Sequence, residues 1–534
     1  MSILTKQRRL AVIVPVLLGA LLFMSAFPVQ AQDTAFRQSV AEASYGNEAV
    51  GAFYRTRDYQ PIFTGAGDGP RRAALLRALQ TADLHGLPAG RYDPEELKAA
   101  FRAAKSPRAL GRAEVLAAKM FVQYAQDIQS GAMTPSKIDR SIVRDLPRRD
   151  QVEQLRAFAT ASPAGYLKSL PPKTPQYTAL LAEKMRLQHT LEKGGWGARV
   201  PGSALKPGQS GDAVVALRNR LIAMGYLGRS ASQHYDGNMQ KAVQQFQLAH
   251  GLTPDGVAGE GTIKALNVPA RERLASVLVA MERERWTNIP KGERHILVNI
   301  PEFTARIIDD GKVSFATRVV VGKNKDGQRT PEFSDVMEYM VINPTWNVPR
   351  SIATKEYLPQ LKRNPNAVSH LKLVDSRGRT ISRSAVNFAQ YSASTFPFAL
   401  KQPPSQRNAL GQVKFMFPNK YNIYLHDTPS KSLFARDRRD FSHGCVRVAD
   451  PKDLAYALLA LQSDDPEGLF NTRLRTGAET RVNLDATVPV HIQYRTAFAT
   501  PKGRMNYRED VYGRDAKIWA EMQKAGVSLE LPGS

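Results

Sequence analysis

Residues 441–447 read Phe441-Ser442-His443-Gly444-Cys445-Val446-Arg447, and fifteen residues separate Ser442 from His426 in the stretch Tyr421-Asn422-Ile423-Tyr424-Leu425-His426-Asp427. The second stretch reads as a strand that carries His426. Cys445 is the one cysteine of 534 residues, so the chain can form neither an internal disulfide nor a multi-cysteine metal site. A thiol becomes a strong nucleophile when an adjacent base takes its proton. His426 and His443 are both candidate bases, and spacing alone does not choose between them. Gly444 lets the backbone approach a substrate closely, and neighbouring N–H groups could hold an oxyanion. Arg447 adds a charge that would stabilise a thiolate or a substrate carboxylate. From the residues alone this is a Cys–His acyl-transfer site.

The surrounding sequence is strand-rich. His295–Ile300, Ala305–Ile308, Thr317–Val321, Val336–Asn343, Ile423–His426 and Val488–Tyr494 are apolar, β-branched segments bounded by turn residues such as Asp309-Asp310-Gly311. They define a mainly β domain over residues 294–500. Residues 352–410 break that rhythm, being rich in Ser, Asn, Pro and Arg. They are long for a loop and read as a capping insertion, with Lys362, Arg363, Arg377, Arg379 and Arg383 making it basic. Residues 501–534 read as a C-terminal helical tail.

Upstream the period changes from two to that of a helix. Residues 33–200 are helical and polar, with Leu75, Leu76 and Leu79 and the run Ala113–Ile128 at helical spacing. Residues 205–268 form a three-helix unit. Asp212 is placed to cap the first helix, and Val214, Leu217, Leu221 and Met224 recur at steps of three and four. Met239, Ala242, Val243 and Phe246 mark the second helix, and Thr262, Ile263 and Leu266 the third. The fold class is therefore α+β and multidomain: a helical N-terminal region, a three-helix module and a mainly β domain with an insertion.

Hydrophobic residues make up 43% and charged residues 23%, which excludes a collagen, a disordered polymer and a disulfide scaffold. Lys and Arg number 74 against 49 Asp and Glu, a formal charge of +25 that calls for an anionic environment. Residues 1–31 resemble an export leader: Lys6, Arg8 and Arg9, an apolar run from Leu10 to Phe27, and small residues at Val29-Gln30-Ala31. The same run, if retained, would be a membrane anchor. An exported basic protein rarely meets nucleic acid, so an anionic cell-envelope polymer or membrane surface is the expected partner.

Two resemblances sharpen this reading. Ala242-Val243-Gln244-Gln245-Phe246-Gln247, Gly251-Leu252 and Asp255-Gly256-Val257-Ala258-Gly259 resemble the peptidoglycan-binding domain of cell-wall enzymes. His426 with Ser442-His443-Gly444-Cys445-Val446-Arg447 resembles the signature of the L,D-transpeptidase catalytic domain. Val298-Asn299-Ile300-Pro301, Gln328-Arg329-Thr330-Pro331, Asn343–Pro349, Lys414–Asn419 and Asp510–Asp515 resemble the branch with an N-terminal scaffold domain and a peptidoglycan-binding module.

The resemblance implies roles. Cys445 would be the nucleophile, and His426 the general base and acid, oriented by the main-chain carbonyl of Asp427. His443, Gly444 and Cys445 would present N–H groups to an oxyanion. Ser442 and Arg447 would shape the floor and position the donor peptide, Asp427 would also contact substrate, and Tyr424 and Trp346 would line the cleft. It implies a periplasmic enzyme that joins peptidoglycan stem peptides by 3→3 cross-links, carries L,D-carboxypeptidase side activity and is acylated by carbapenems at Cys445. No cofactor or metal is implied. The partners would be stem peptides and glycan, with peripheral membrane contact allowed by the charge, no nucleic acid, and no indication of oligomeric state. Two other readings stand beside it. His426, His443 and Cys445 could ligate zinc in a wall peptidase, although no close-spaced ligand motif accompanies them. The chain could also be a non-catalytic wall-binding protein whose cysteine is buried and inert.

Overall fold

The computed structural model describes residues 27–529. The leader reading falls outside the described residues except for its last five, which open the helix Phe27–Ala43. The chain divides into two compact units. One gathers the described residues up to Ala132 with Pro147–Lys173 and Ala525–Ser528; the other holds Met133–Leu146 and Thr174–Lys524.

The first unit is helical. Its spine is the 24-residue helix Pro107–Ser130. Ser106 Oγ caps it by accepting from Ala109 N–H, Pro107 occupies the first turn, where no N–H is needed, and Gly131 follows its end. Phe121 on this helix stacks on Phe158 with centroids 4.4 Å apart. Glu114 is fully buried in the same helix. Its carboxylate accepts N–H bonds from Ile62, Phe63 and Thr64 and the hydroxyl of Tyr54, which replace the water it has lost.

The second unit is built on strands β1 (Arg294–Asn299), β2 (Thr304–Asp309), β3 (Lys312–Gly322), β4 (Phe333–Ile342), β5 (Trp346–Asn347), β6 (Lys372–Val374), β7 (Ala399–Gln402), β8 (Val413–Met416), β9 (Leu425–His426), β10 (Asp440–Ser442), β11 (Val446–Val448), β12 (Thr480–Gln493), β13 (Ala497–Ala499) and β14 (Met505–Tyr507). The main sheet runs β10-β3-β11-β9-β8-β4-β12-β1-β2. β3 also pairs with β2, so the sheet closes on itself with β10 as an added strand. Ile296, Val298, Ile307, Val319, Met340, Phe415, Leu425, Val446 and Ile492 fill its interior. β1 with β12 and β9 with β11 are parallel pairs.

Several expected boundaries move. The strand expected over 421–427 shrinks to Leu425–His426. Asn419 accounts for this: its amide accepts from the N–H groups of Tyr421 and Ile423 and donates to the carbonyl of Ile423, folding the preceding residues into a turn, with Asn422 at φ 53°. Residues 352–410 are a small body with its own core of Ile352, Leu358, Leu361, Leu373, Phe388, Phe396 and Leu400, carried on the sheet β5-β7-β6. Two of its basic residues are structural. Arg383 donates to the carbonyls of Pro365, Ala367, Val368 and Leu371, and Arg379 pairs with Asp375. In the three-helix unit, Asp212 opens the helix Asp212–Ala223 but does not cap it; Gly211 holds the cap position. Asp236 caps the next helix, Gly237–His250, through Met239 N–H.

The C-terminal segment is not a tail. β14 pairs with β13, and the helix Arg514–Lys524 packs on the helix Ala270–Trp286. The helix Pro175–Glu192, expected with the N-terminal region, also lies in this unit against Ala270–Trp286, where Tyr177 Oη accepts from Arg285. Arg514 is fully buried, donating to Glu332 (3.1 Å) and to the carbonyl of Thr330 (2.8 Å). Arg283 bridges Glu332 and Asp515, each at 2.8 Å.

Removing one member of such a network leaves the others buried and unpaired. Glu332→Ala is therefore expected to destabilise this unit by about 3–5 kcal/mol, read as a lowered urea midpoint, with Glu332→Gln costing less. An unchanged midpoint for Glu332→Ala would contradict the role given to the network.

Candidate active site

The pairing of β9 with β11 brings the two sequence motifs together. The strands run parallel, Val446 opposite Leu425 and Arg447 opposite His426, and Val446 N–H donates to the carbonyl of Tyr424 at 3.1 Å. Cys445, at the entrance of β11, thus lies beside Tyr424 at the entrance of β9.

His426 is buried, and its Nδ1 meets the main-chain oxygen of Asp427 at 2.5 Å. A carbonyl only accepts, so the proton sits on Nδ1 and Nε2 keeps its lone pair. Burial, and then the charge of Arg447, push the imidazole down to about 3 against the pull of the Asp427 carbonyl, so it is neutral at ordinary pH. The ring of Tyr424 meets it edge-on, centroids 5.6 Å apart.

The Cys445 thiol donates to the carbonyl of Asn422 at 3.5 Å. Burial pushes it up to about 11, partly offset by hydrogen bonding with Tyr424 and by Arg447. Burial, and then the neighbouring Cys445, hold the Tyr424 phenol well above its usual range, so it remains a hydrogen-bond donor. Among the described residues Arg447 Nε has no hydrogen-bond partner, and burial lowers the proton affinity of Arg447 while Cys445 raises it. At neutral pH the site therefore holds a neutral thiol, a neutral imidazole and an available guanidinium.

Ser442 fixes the turn between β10 and β11. Its hydroxyl donates to the carbonyl of Cys445 at 2.5 Å and accepts from Gly444 N–H at 3.1 Å. The Gly444 N–H is thereby committed, which corrects its expected place among the oxyanion donors. Gly444 itself has φ 120°, and a Cβ there would stand 3.3 Å from Ile423 Cδ1. Its carbonyl accepts from Thr330 Oγ1 at 2.7 Å, and Thr330 Oγ1 in turn accepts from Gly322 N–H at 2.9 Å. Tyr512 donates to the carbonyl of Gly322 at 2.5 Å. Thr330 and Tyr512 thus brace the nucleophile turn from behind. Their motifs were visible in the sequence, but their roles were not.

Asp427 contributes its carbonyl and not its carboxylate. Gln412 N–H, Thr428 N–H and Lys431 Nζ occupy the carboxylate at 2.9, 2.6 and 2.7 Å, and a Cβ on Gly411 would come within 2.2 Å of it. This corrects its expected contact with substrate. Trp346 lies on β5, in the insertion's sheet, and meets Tyr357 of the insertion edge-on at 6.3 Å. His443 meets the insertion. Its Nε2 lies 2.7 Å from Glu356 Oε1, in the turn Ala353–Tyr357 of the insertion. Sequence reading missed Glu356, which stands alone in its motif and 87 residues from its partner. Among the described residues no group of three or more His, Cys, Asp and Glu side chains is placed to hold a metal ion, and His426 and His443 point to different partners.

Because Cys445 is the one cysteine, alkylation by iodoacetamide reads this thiol alone. The rate is expected to be low at pH 7 and to rise about tenfold per pH unit towards about pH 11, as the thiolate forms. Mass spectrometry of timed samples measures it. A plateau reached by pH 6–7 would instead show a preformed thiolate–imidazolium pair.

Comparison with known proteins supplies the family. Residues 293–492 match the family described as the L,D-transpeptidase catalytic domain, residues 48–183 a scaffold domain, and residues 210–266 the "Putative peptidoglycan binding domain". A Haemophilus influenzae protein named "Putative L,D-transpeptidase" is 33% identical over 287 residues, which is 52% of this chain and 57% of that protein. The chain therefore spans little more than half the length of that relative. Crystal structures of L,D-transpeptidases from Xylanimonas cellulosilytica and Stackebrandtia nassauensis align with 16% and 15% identity and TM-scores of 0.18 and 0.21. Each covers 56% of this chain, and 100% and 98% of the solved chains. The chain thus carries an L,D-transpeptidase catalytic domain behind a scaffold domain and a peptidoglycan-binding domain.

Proposed function

We propose that the protein is a peptidoglycan transpeptidase that makes 3→3 cross-links through an acyl-enzyme on Cys445. The observation that carries this is the placement of His426 beside the Cys445 segment, with Nδ1 tied to a carbonyl and the Nε2 lone pair left to accept a proton. The thiol has little thiolate at neutral pH, so its proton must move as the bond to carbon forms. His426 Nε2 takes that proton while Cys445 Sγ attacks the carbonyl carbon of the diaminoacyl residue at the third stem position. Main-chain N–H groups of His443 and Cys445 hold the oxyanion, since that of Gly444 is engaged by Ser442. His426 returns the proton to the leaving nitrogen, the C–N bond breaks and the terminal D-alanine departs.

In the second half the side-chain amine of a diaminoacid on another stem gives a proton to His426 and attacks the thioester, and Cys445 leaves with that proton. Water in place of the amine makes the same site an L,D-carboxypeptidase. Arg447, unpaired beside the thiol, suits a carboxylate of the donor peptide. Glu356 links the insertion to the nucleophile turn, which supports the reading of residues 352–410 as a cap over the donor. The module over residues 210–266 would hold the enzyme on polymeric wall and raise its effective concentration there. Domains that act on peptidoglycan belong outside the cytoplasm, and the leader-like residues 1–31 suit export to the periplasm. No described helix is long and apolar enough to cross a membrane.

Incubation with tetrapeptide-bearing sacculi, followed by mass analysis of the fragments, tests the reading. Dimers lacking one D-alanine are expected to accumulate. Cys445→Ser should reduce them at least about 100-fold while leaving the folded state intact. Wild-type turnover by that variant would rule out the thiol route.

A further inference from the structure

Away from the thiol, the second unit contains a cavity of about 470 Å3 whose walls include Arg144, Lys291, Lys420 and Gln493. Trp286 and Tyr421 give it flat apolar sides. Its positive groups are poorly compensated. Lys291 Nζ forms no hydrogen bond or ion pair among the described residues, and the nearby Glu284 is already held by Arg495 at 2.7 Å. Burial, and then the charge of Arg495, lower Lys291 to about 8. Lys420 Nζ stands 5.4 Å from the Tyr421 ring centroid. Arg144 spends its guanidinium on Ser334 Oγ and the carbonyl of Ile492, neither of which is an anion. Of the two acids at the cavity, Asp335 accepts from Val336 N–H at 2.8 Å and Asp145 is exposed. Gln493 is 4% exposed, and its Oε1 has no hydrogen-bond partner among the described residues. A buried amide and a half-buried ammonium without partners both cost free energy that a bound polar group would recover.

We propose that this cavity is a second binding site, for a small ligand bearing an anionic oxygen group. Lys291 and Lys420 contact the anion, an N–H or O–H of the same ligand donates to Gln493 Oε1, and Trp286 and Tyr421 pack its apolar part. The volume suits a short peptide or a single substituted sugar, not a polymer. A peptide carboxylate and a phosphoryl group share this chemistry. The site does not depend on the transpeptidase reading, although its wall residue Tyr421 adjoins Asn422, whose carbonyl receives the Cys445 thiol.

The test uses the full chain with Cys445 alkylated, so that binding at the thiol is blocked. Three probes are titrated calorimetrically at pH 8: a tripeptide with a free C-terminal carboxylate, the same tripeptide amidated, and inorganic phosphate. Each titration is run in two buffers of different ionisation enthalpy. An anion beside Lys291 raises its proton affinity, so binding should take up part of a proton near pH 8. The carboxylate or the phosphate is expected to bind while the amidated peptide does not, and the stronger of the two identifies the source. Lys291→Met should weaken binding at least about tenfold and abolish proton uptake, with Lys420→Ala weakening it less. No binding of either anion at millimolar concentration would overturn the proposal. So would undiminished binding by Lys291→Met and Lys420→Ala, both shown to be folded by circular dichroism.

Discussion

The parallel pairing of β9 with β11 is the constraint on which the site depends. These strands are two and three residues long, and neither would hold its place alone. They are held because β3 pairs with β11 on one side and β8 with β9 on the other, within a sheet that closes on itself. Closure removes the freedom of an open edge, so the register that sets Arg447 opposite His426 is fixed by the whole ring. The chemistry then follows from three local bonds. A carbonyl holds His426 Nδ1, a hydroxyl clamps the Cys445 turn, and Thr330 ties that turn to β3.

Electrostatics and packing act together here. Burial raises the thiol and lowers the imidazole, so both are uncharged at rest, and the charge of Arg447, opposite His426 in the strand pair, acts on both. Such a site avoids the cost of a desolvated ion pair and leaves the charge of Arg447 for an incoming anion. Buried ion pairs lie elsewhere, where Arg514 of the C-terminal segment binds Glu332 and Arg283 bridges Glu332 to Asp515 of the same segment. Tyr512, on that same segment, braces the nucleophile turn through Gly322. Residues 505–524 are thus part of the scaffold of the site, not an appendage.

The sequence was most legible where local pattern and tertiary environment agree. Alternation over β1 to β4 predicts half-buried strands, and a lone cysteine between glycine and valine, with two histidines near, marks the nucleophile. Legibility failed where one side chain reorganises the backbone. Asn419 turns the residues before Leu425 out of the strand, which no hydrophobic pattern records. It failed again where partners lie far apart in the chain, as Glu356 does from His443 and Thr330 from Gly444. Polar residues that resemble substrate contacts also misled: the carboxylate of Asp427 and the guanidinium of Arg383 are consumed by backbone groups of their own loops. Composition could not separate those from Arg447, whose Nε has no hydrogen-bond partner among the described residues.

The account rests on His426, and not His443, serving the thiol. The direct measurement is the rate of D-alanine release from a tetrapeptide stem at pH 7 by His426→Ala and His443→Ala. The account predicts a loss of about a hundredfold or more for His426→Ala, the scale of a lost general base, and a change within about tenfold for His443→Ala, which forfeits a part-buried hydrogen bond with Glu356. Retained release by His426→Ala together with the large loss in His443→Ala would contradict it.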